Sequence, residues 1–150
     1  MFVRFQRGAV VVIKLKVKKL HPDAKLPQKN NSTDAVWDLF AIEGEVVSKD
    51  LQSPIRTGLA FSIPKGYFGL IKPRSGMSLN NGVSVLAGVI DSGFHGEVRV
   101  ILTSKTDLSI KNGDKVAQMV ILPLPEVVIE EVRALPDSDR GIKGFGSSGK

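Results

Sequence analysis

The feature that most constrains this chain is a rhythm of short apolar or alternating runs separated by turn-forming clusters. "VVIKLKVKKL" (Val11–Leu20) alternates apolar residues with lysine, the period-2 pattern of a strand with one wet face. "AVWDLFAI", "TGLAFSI", "YFGLIK", "GVSVLAGVID", "EVRVILTS", "LSIKNGDKVAQMVILPL" and "EVVIEEV" follow as further strand candidates. Between them stand Glu43-Gly44, Pro64-Lys65-Gly66, Asn81-Gly82, Asp91-Ser92-Gly93 and Asn112-Gly113-Asp114. A spacing of about 8–12 residues predicts an all-β sandwich or barrel. The stretch "HPDAKLPQKNNSTD" reads as a loop, and a helix of a turn or two is predicted near Gly76–Asn80.

At 150 residues one domain with a real core is expected. With no cysteine and only His21 and His95, thiolate metal sites, disulfides and a histidine triad are excluded. No apolar run approaches the ~20 residues of a membrane span, and lysines interrupt the only N-terminal apolar stretch. A signal peptide is therefore not expected, and a cytoplasmic protein is, or one of the host cytosol if the source is viral. The net charge of +6 points to an acidic partner such as a polyphosphate. Its spread along the chain, without interleaved aromatics, does not favour nucleic acid.

The tail "DRGIKGFGSSGK" (Asp139–Lys150) fits two phosphate patterns: G-x-G-x-x-G through Gly144, Gly146 and Gly149, and G-x-x-x-x-G-K through Lys150. Both need a helix after the glycines, and here the sequence ends. What survives is a glycine-rich strand whose amides can form an anion nest. Four more stretches carry chemistry. "KPRSGMS" sets Arg74 and Ser75 beside Gly76, a guanidinium fork and a hydroxyl suited to phosphate or simply a solvated turn. "LAGVIDSGFHGEV" ends an apolar run at Asp91, either a functional carboxylate or a turn-initiating one, with Phe94 read by default as core. "GDKVAQMVI" places Gln118 in an apolar strand, and "DAVWDLFA" embeds Asp38 among Trp37, Leu39 and Phe40. Both must find polar partners if buried.

In order, "WDLFA", "PRSG", "GVIDSGFHGEV", "GDKVAQM" and "RGIKGFGSSG" resemble the five motifs of the trimeric dUTP pyrophosphatases, from Asp34 to Gly149. The resemblance implies an all-β, jelly-roll-like fold of residues 1–139. Residues 140–150 become an arm that closes over a neighbouring subunit's site in a homotrimer. It implies dUTP as substrate, Mg2+ as cofactor, and release of dUMP and pyrophosphate. Asp91 would orient and activate the attacking water, and Phe94 would pack on the deoxyribose where the family has a tyrosine. Backbone groups at Val85, Gly88, Val89 and Ile90 would read uracil. Arg74, Ser75, Gly76 and Gln118 would hold phosphates, and Asp38 would meet the metal through water. In the arm, Arg140, Gly144, Gly146, Ser147 and Ser148 would clamp the terminal phosphates while Phe145 stacks on uracil. Val36 departs from the small residue usual two before Asp38. "MFVRFQR" reads as an extension with no assigned role. The alternatives on the same fold are a dCTP deaminase and a non-catalytic nucleotide-binding regulator. The deaminase needs a glutamate on the next strand, and "VRVILTSKT" between Glu97 and Asp107 has none.

Overall fold

Alternation becomes structure most plainly in the strand pair at the centre of the core. A computed structural model describes residues 12–144. The strands are β1 (Lys16–Lys19), β2 (Trp37–Phe40), β3 (Glu45–Val47), β4 (Gln52–Arg56), β5 (Leu59–Ser62) and β6 (Tyr67–Lys72). After helix α1 (Ser75–Asn81) come β7 (Ser84–Leu86), β8 (Val89–Ile90), β9 (Arg99–Thr103), β10 (Leu108–Ile110) and β11 (Lys115–Pro123). In β4 and β9, Ser53, Ile55, Val100 and Leu102 point inward while their neighbours stay at or near the surface, as the two faces of a strand require. Burying a side chain such as Leu102 contributes about 1.5–3 kcal/mol.

All pairings are antiparallel, in sheets ordered β1-β5, β3-β10, β2-β11-β6-β8 and β4-β9-β7. The expected all-β class with one short helix is what forms; among the described residues these sheets do not close into a barrel. Leu39, Val47, Ile55, Leu59, Phe61, Leu102, Val116 and Met119 build one core between them. Helix α1 follows the prediction and stops where Gly82 takes a left-handed φ of 63°, its N–H donating back to Met77 and Ser78.

Three expectations change. The strand read over Val11–Leu20 is paired only at Lys16–Lys19, because its partner β5 supplies four residues; Val11 lies outside the described residues. "EVVIEEV" forms no strand: among the described residues no strand pairs with it, and Ile129 is 93% exposed. Strands β3 and β4 were not predicted. Pro54 in β4 argues against a strand, yet β4 is an edge of its sheet, where a missing N–H is tolerated.

Candidate active site

The four-stranded sheet sets the site out in rows. Asp38 on β2 lies opposite Gln118 on β11, which lies opposite Lys72 at the end of β6. Directly opposed residues share a face, so the Asp38 carboxylate and the Gln118 amide project from the same side, beside the turn that follows Lys72. Two cross-ties fix that turn. Gln118 Nε2 donates to the Pro73 carbonyl at 3.0 Å, and Arg74 Nη1 donates to the Lys115 carbonyl at 3.4 Å. Arg74 is thereby held in extended geometry before α1, which begins with no side-chain cap. Its first amides remain open to an acceptor.

These groups line one cleft of about 370 Å³ together with Ser75, Gly76, Met77, Asn30, Asn80 and Asn81. Asp38 is only 6% exposed, and a buried carboxylate needs partners. Lys115 Nζ lies 2.8 Å from its Oδ2 and Arg74 Nε 3.7 Å from its Oδ1. Lys115 also donates to Asn30 Oδ1 at 2.6 Å. Two cations therefore flank the one carboxylate, Arg74 in the lining of the cleft and Lys115 behind it, so the surroundings of Asp38 are net positive and suit an anionic ligand. Lys115 and Asn30 were not singled out from sequence. Lys115 stands three positions before Gln118, which in a regular strand would put them on opposite faces. The register of β11 against β2 slips between Lys115 and Ala117, and this bulge turns Lys115 onto the Asp38 face.

A second group sits elsewhere. The link from β7, which pairs with β9, to β8, which pairs with β6, turns through Ala87 (φ 57°) and Gly88 (φ 93°). Ile71 N–H donates to the Gly88 carbonyl at 2.8 Å, seating this turn against β6. Val85, Gly88, Val89 and Ile90 all belong to this β7–β8 segment, and Val89 is exposed, so Asp91 does not end a buried strand. Phe94 is not core either: it is 43% exposed. Its N–H donates to the Asp91 carbonyl at 3.1 Å, closing a turn that keeps both side chains at the surface. The ring lies across Gly96, where a Cβ would come within 2.9 Å of Cζ.

Glu97 anchors the end of that turn. It accepts from Arg56 Nε at 3.1 and 3.2 Å, from Gly58 N–H at 3.0 Å and from Arg99 Nε at 3.2 Å. Burial pushes its carboxyl up, but the bonds from Arg56, Gly58 and Arg99 outweigh this and hold it below the usual glutamate range.

One chain does not bring the two groups together. Ile90 is opposite Gly69, five residues before Arg74 and roughly 16 Å away along an extended strand. Asp91, one residue beyond Ile90, does not line the Arg74 cleft. Arg140 is exposed, donating to the Lys143 carbonyl at 2.9 Å, and neither it nor Gly144 lines the cleft. Phe145, Gly146, Ser147 and Ser148 lie outside the described residues. Among the described residues no helix is long and apolar enough to cross a membrane.

Known proteins resemble this chain in both sequence and fold. The dUTPase family profile matches residues 22–149. Deoxyuridine 5'-triphosphate nucleotidohydrolase of Clostridium tetani is 44% identical over 140 residues, covering 91% of this chain and 97% of that protein. The Helicobacter hepaticus protein of the same name is 43% identical over 139 residues, covering 90% and 88%. A Staphylococcus bacteriophage 80alpha dUTPase variant solved with dUpNHpp superposes with a TM-score of 0.83 at 31% identity, over 91% of this chain and 99% of that one. A dUTPase variant from phage phi11 of S. aureus, whose structure concerns a structural Mg(II) ion, gives 0.76 at 29% identity, over 81% and 97%. A profile match across most of the chain, close relatives along nearly their whole length and a shared fold make this chain a member of the dUTPase family.

Proposed function

We propose that this protein hydrolyses dUTP to dUMP and pyrophosphate by in-line attack of water on the α-phosphorus. The observation that carries the reading is the convergence of Asp38, Arg74, Ser75, Gly76 and Gln118 on one cleft, with two cations flanking its carboxylate, in a chain of the dUTPase family. In this reading the Arg74 fork, the Ser75 hydroxyl, the Gly76 amide and the Gln118 amide hold the phosphates. Asp91 orients the attacking water and takes its proton, help worth about 10²–10⁴ in rate. Fixed donors around the phosphates supply the larger electrostatic part.

The strand distance between Ile90 and Arg74 supports a site completed by a second copy, with Asp91, Phe94 and the β7–β8 segment offered to another subunit's cleft. We take the assembly to be a homotrimer whose residues 140–150 act as an arm over a neighbouring site. There Arg140, Gly144, Gly146, Ser147 and Ser148 grip phosphate and Phe145 stacks on uracil. Backbone groups at Val85, Gly88, Val89 and Ile90 select uracil.

The donor set fits magnesium in one way. Among the described residues no cluster of three acidic, histidine or cysteine side chains exists. Asp38 therefore offers a single carboxylate, suited to a hydrated ion carried by the triphosphate. When bound, that ion neutralises phosphate charge and orients the chain of phosphates. Incubation with dUTP, dCTP, dTTP and UTP, with pyrophosphate and base identity measured, tests the reading. Turnover of dUTP far above the others supports it; no dUTP turnover, or ammonia from dCTP, overturns it.

A further inference from the structure

The β11 bulge places an ammonium where a regular strand would not, and the placement has a consequence for metal binding. Lys115 Nζ is 2.8 Å from Asp38 Oδ2 and 2.6 Å from Asn30 Oδ1, so it occupies the carboxylate face away from Arg74. Val116 and Ala117, the residues beside the register slip, are both fully buried, so the bulge is locked by packing. We infer that Lys115 is an internal counter-ion that stands in for a divalent cation at Asp38, and that loading the site exchanges ammonium for hydrated metal. This rests on the reading of Asp38 as the residue that meets magnesium.

Two charges favour the exchange only when substrate is present. Without nucleotide, a divalent ion approaching Asp38 meets Lys115 and Arg74, and like charges at such range repel strongly. With a triphosphate in the cleft, the released ammonium has phosphate oxygens to bond. Lys115 thereby keeps the empty cleft from taking metal and couples metal entry to the nucleotide. It is a positioning residue: it acts by holding Asp38.

The test compares thermal melting of wild type, K115M and the double variant D38N/K115M in EDTA and in millimolar MgCl2, against NaCl of equal ionic strength. Wild type should shift little with MgCl2. K115M, which keeps the aliphatic stem but leaves the Asp38 charge under-neutralised, should melt lower in EDTA and recover by roughly 3 °C or more with MgCl2. D38N/K115M should not recover. If K115M and wild type respond alike to MgCl2, the inference is overturned. Should K115M not fold, K115Q makes the same comparison. A second arm titrates MgCl2 into protein with dUpNHpp: K115M should need about 3- to 10-fold less magnesium for half-maximal binding, and an unchanged or raised requirement contradicts the inference. Absence of dUpNHpp binding by wild type at every magnesium concentration contradicts the proposed function instead, and the melting comparison still decides Lys115.

Discussion

The backbone N–H of Ile71 donates to the Gly88 carbonyl at 2.8 Å, and a Cβ on Gly88 would stand 2.8 Å from the Ile71 carbonyl oxygen. Backbone meets backbone there, and neither side can rotate away. Gly88 also holds a φ of 93°, a region that side chains disfavour. Gly88→Ala should therefore cost roughly 1–3 kcal/mol and lift the β7–β8 turn from β6. A lowered melting temperature together with a raised KM for dUTP is the expected outcome. Unchanged values of both would show that the turn tolerates the shift.

Phe94 rests on Gly96 with its ring at the surface, which suits a wall against a sugar better than a packing role. Phe94→Ala removes little core and should leave stability nearly unchanged. The ratio of kcat/KM for dUTP over UTP should fall by about tenfold or more, as loss of a steric wall in a pocket predicts. An intact ratio would remove Phe94 from sugar selection.

Glu97 ties the Asp91–Gly96 turn to Arg56, Gly58 and Arg99, and its folded pKa lies below the ordinary glutamate value of 4.5. A depressed carboxyl stabilises the fold fully above the unfolded value and loses that contribution as pH falls through the folded one. Wild-type melting temperature should therefore drop between about pH 5 and pH 3 more steeply than that of Glu97→Gln. At neutral pH the variant should be less stable by about 1–3 kcal/mol. Parallel pH curves would assign the acid sensitivity to other groups.

Much of this was legible in the sequence where one rule acts alone. Alternation located "YFGLIK" as β6 without error, and "NGV" marked the end of α1 because Gly82 supplies the left-handed cap. The rule failed where a tertiary partner decides. "EVVIEEV" has strand composition but no strand beside it, whereas "QSPIR" pairs with β9 despite Pro54 because it sits at an edge. Motif order singled out Asp38, Arg74 and Gln118, and the fold sets these three along one cleft. Lys115 stayed hidden because its strand parity points it away from Asp38, and only a register slip, which leaves no period in the sequence, reverses it. Composition alone reads Phe94 as core, because an aromatic beside an apolar run looks the same whether it faces inward or toward a ligand. Its exposure overturns that default, whereas the motif resemblance gives Phe94 a sugar-facing role.

In the proposed assembly, Arg74 of one copy and Asp91 of another build a single site. Co-expression of Arg74→Ala and Asp91→Asn chains, each inactive alone, with dUTP turnover measured on the mixed assemblies, tests it most directly. Random mixing of copies that each lend one half-site to a neighbour should restore about a quarter of the wild-type rate per site. Turnover no higher than that of the separate variants, in assemblies shown to contain both chains, would mean that the two residues serve one site within a single chain.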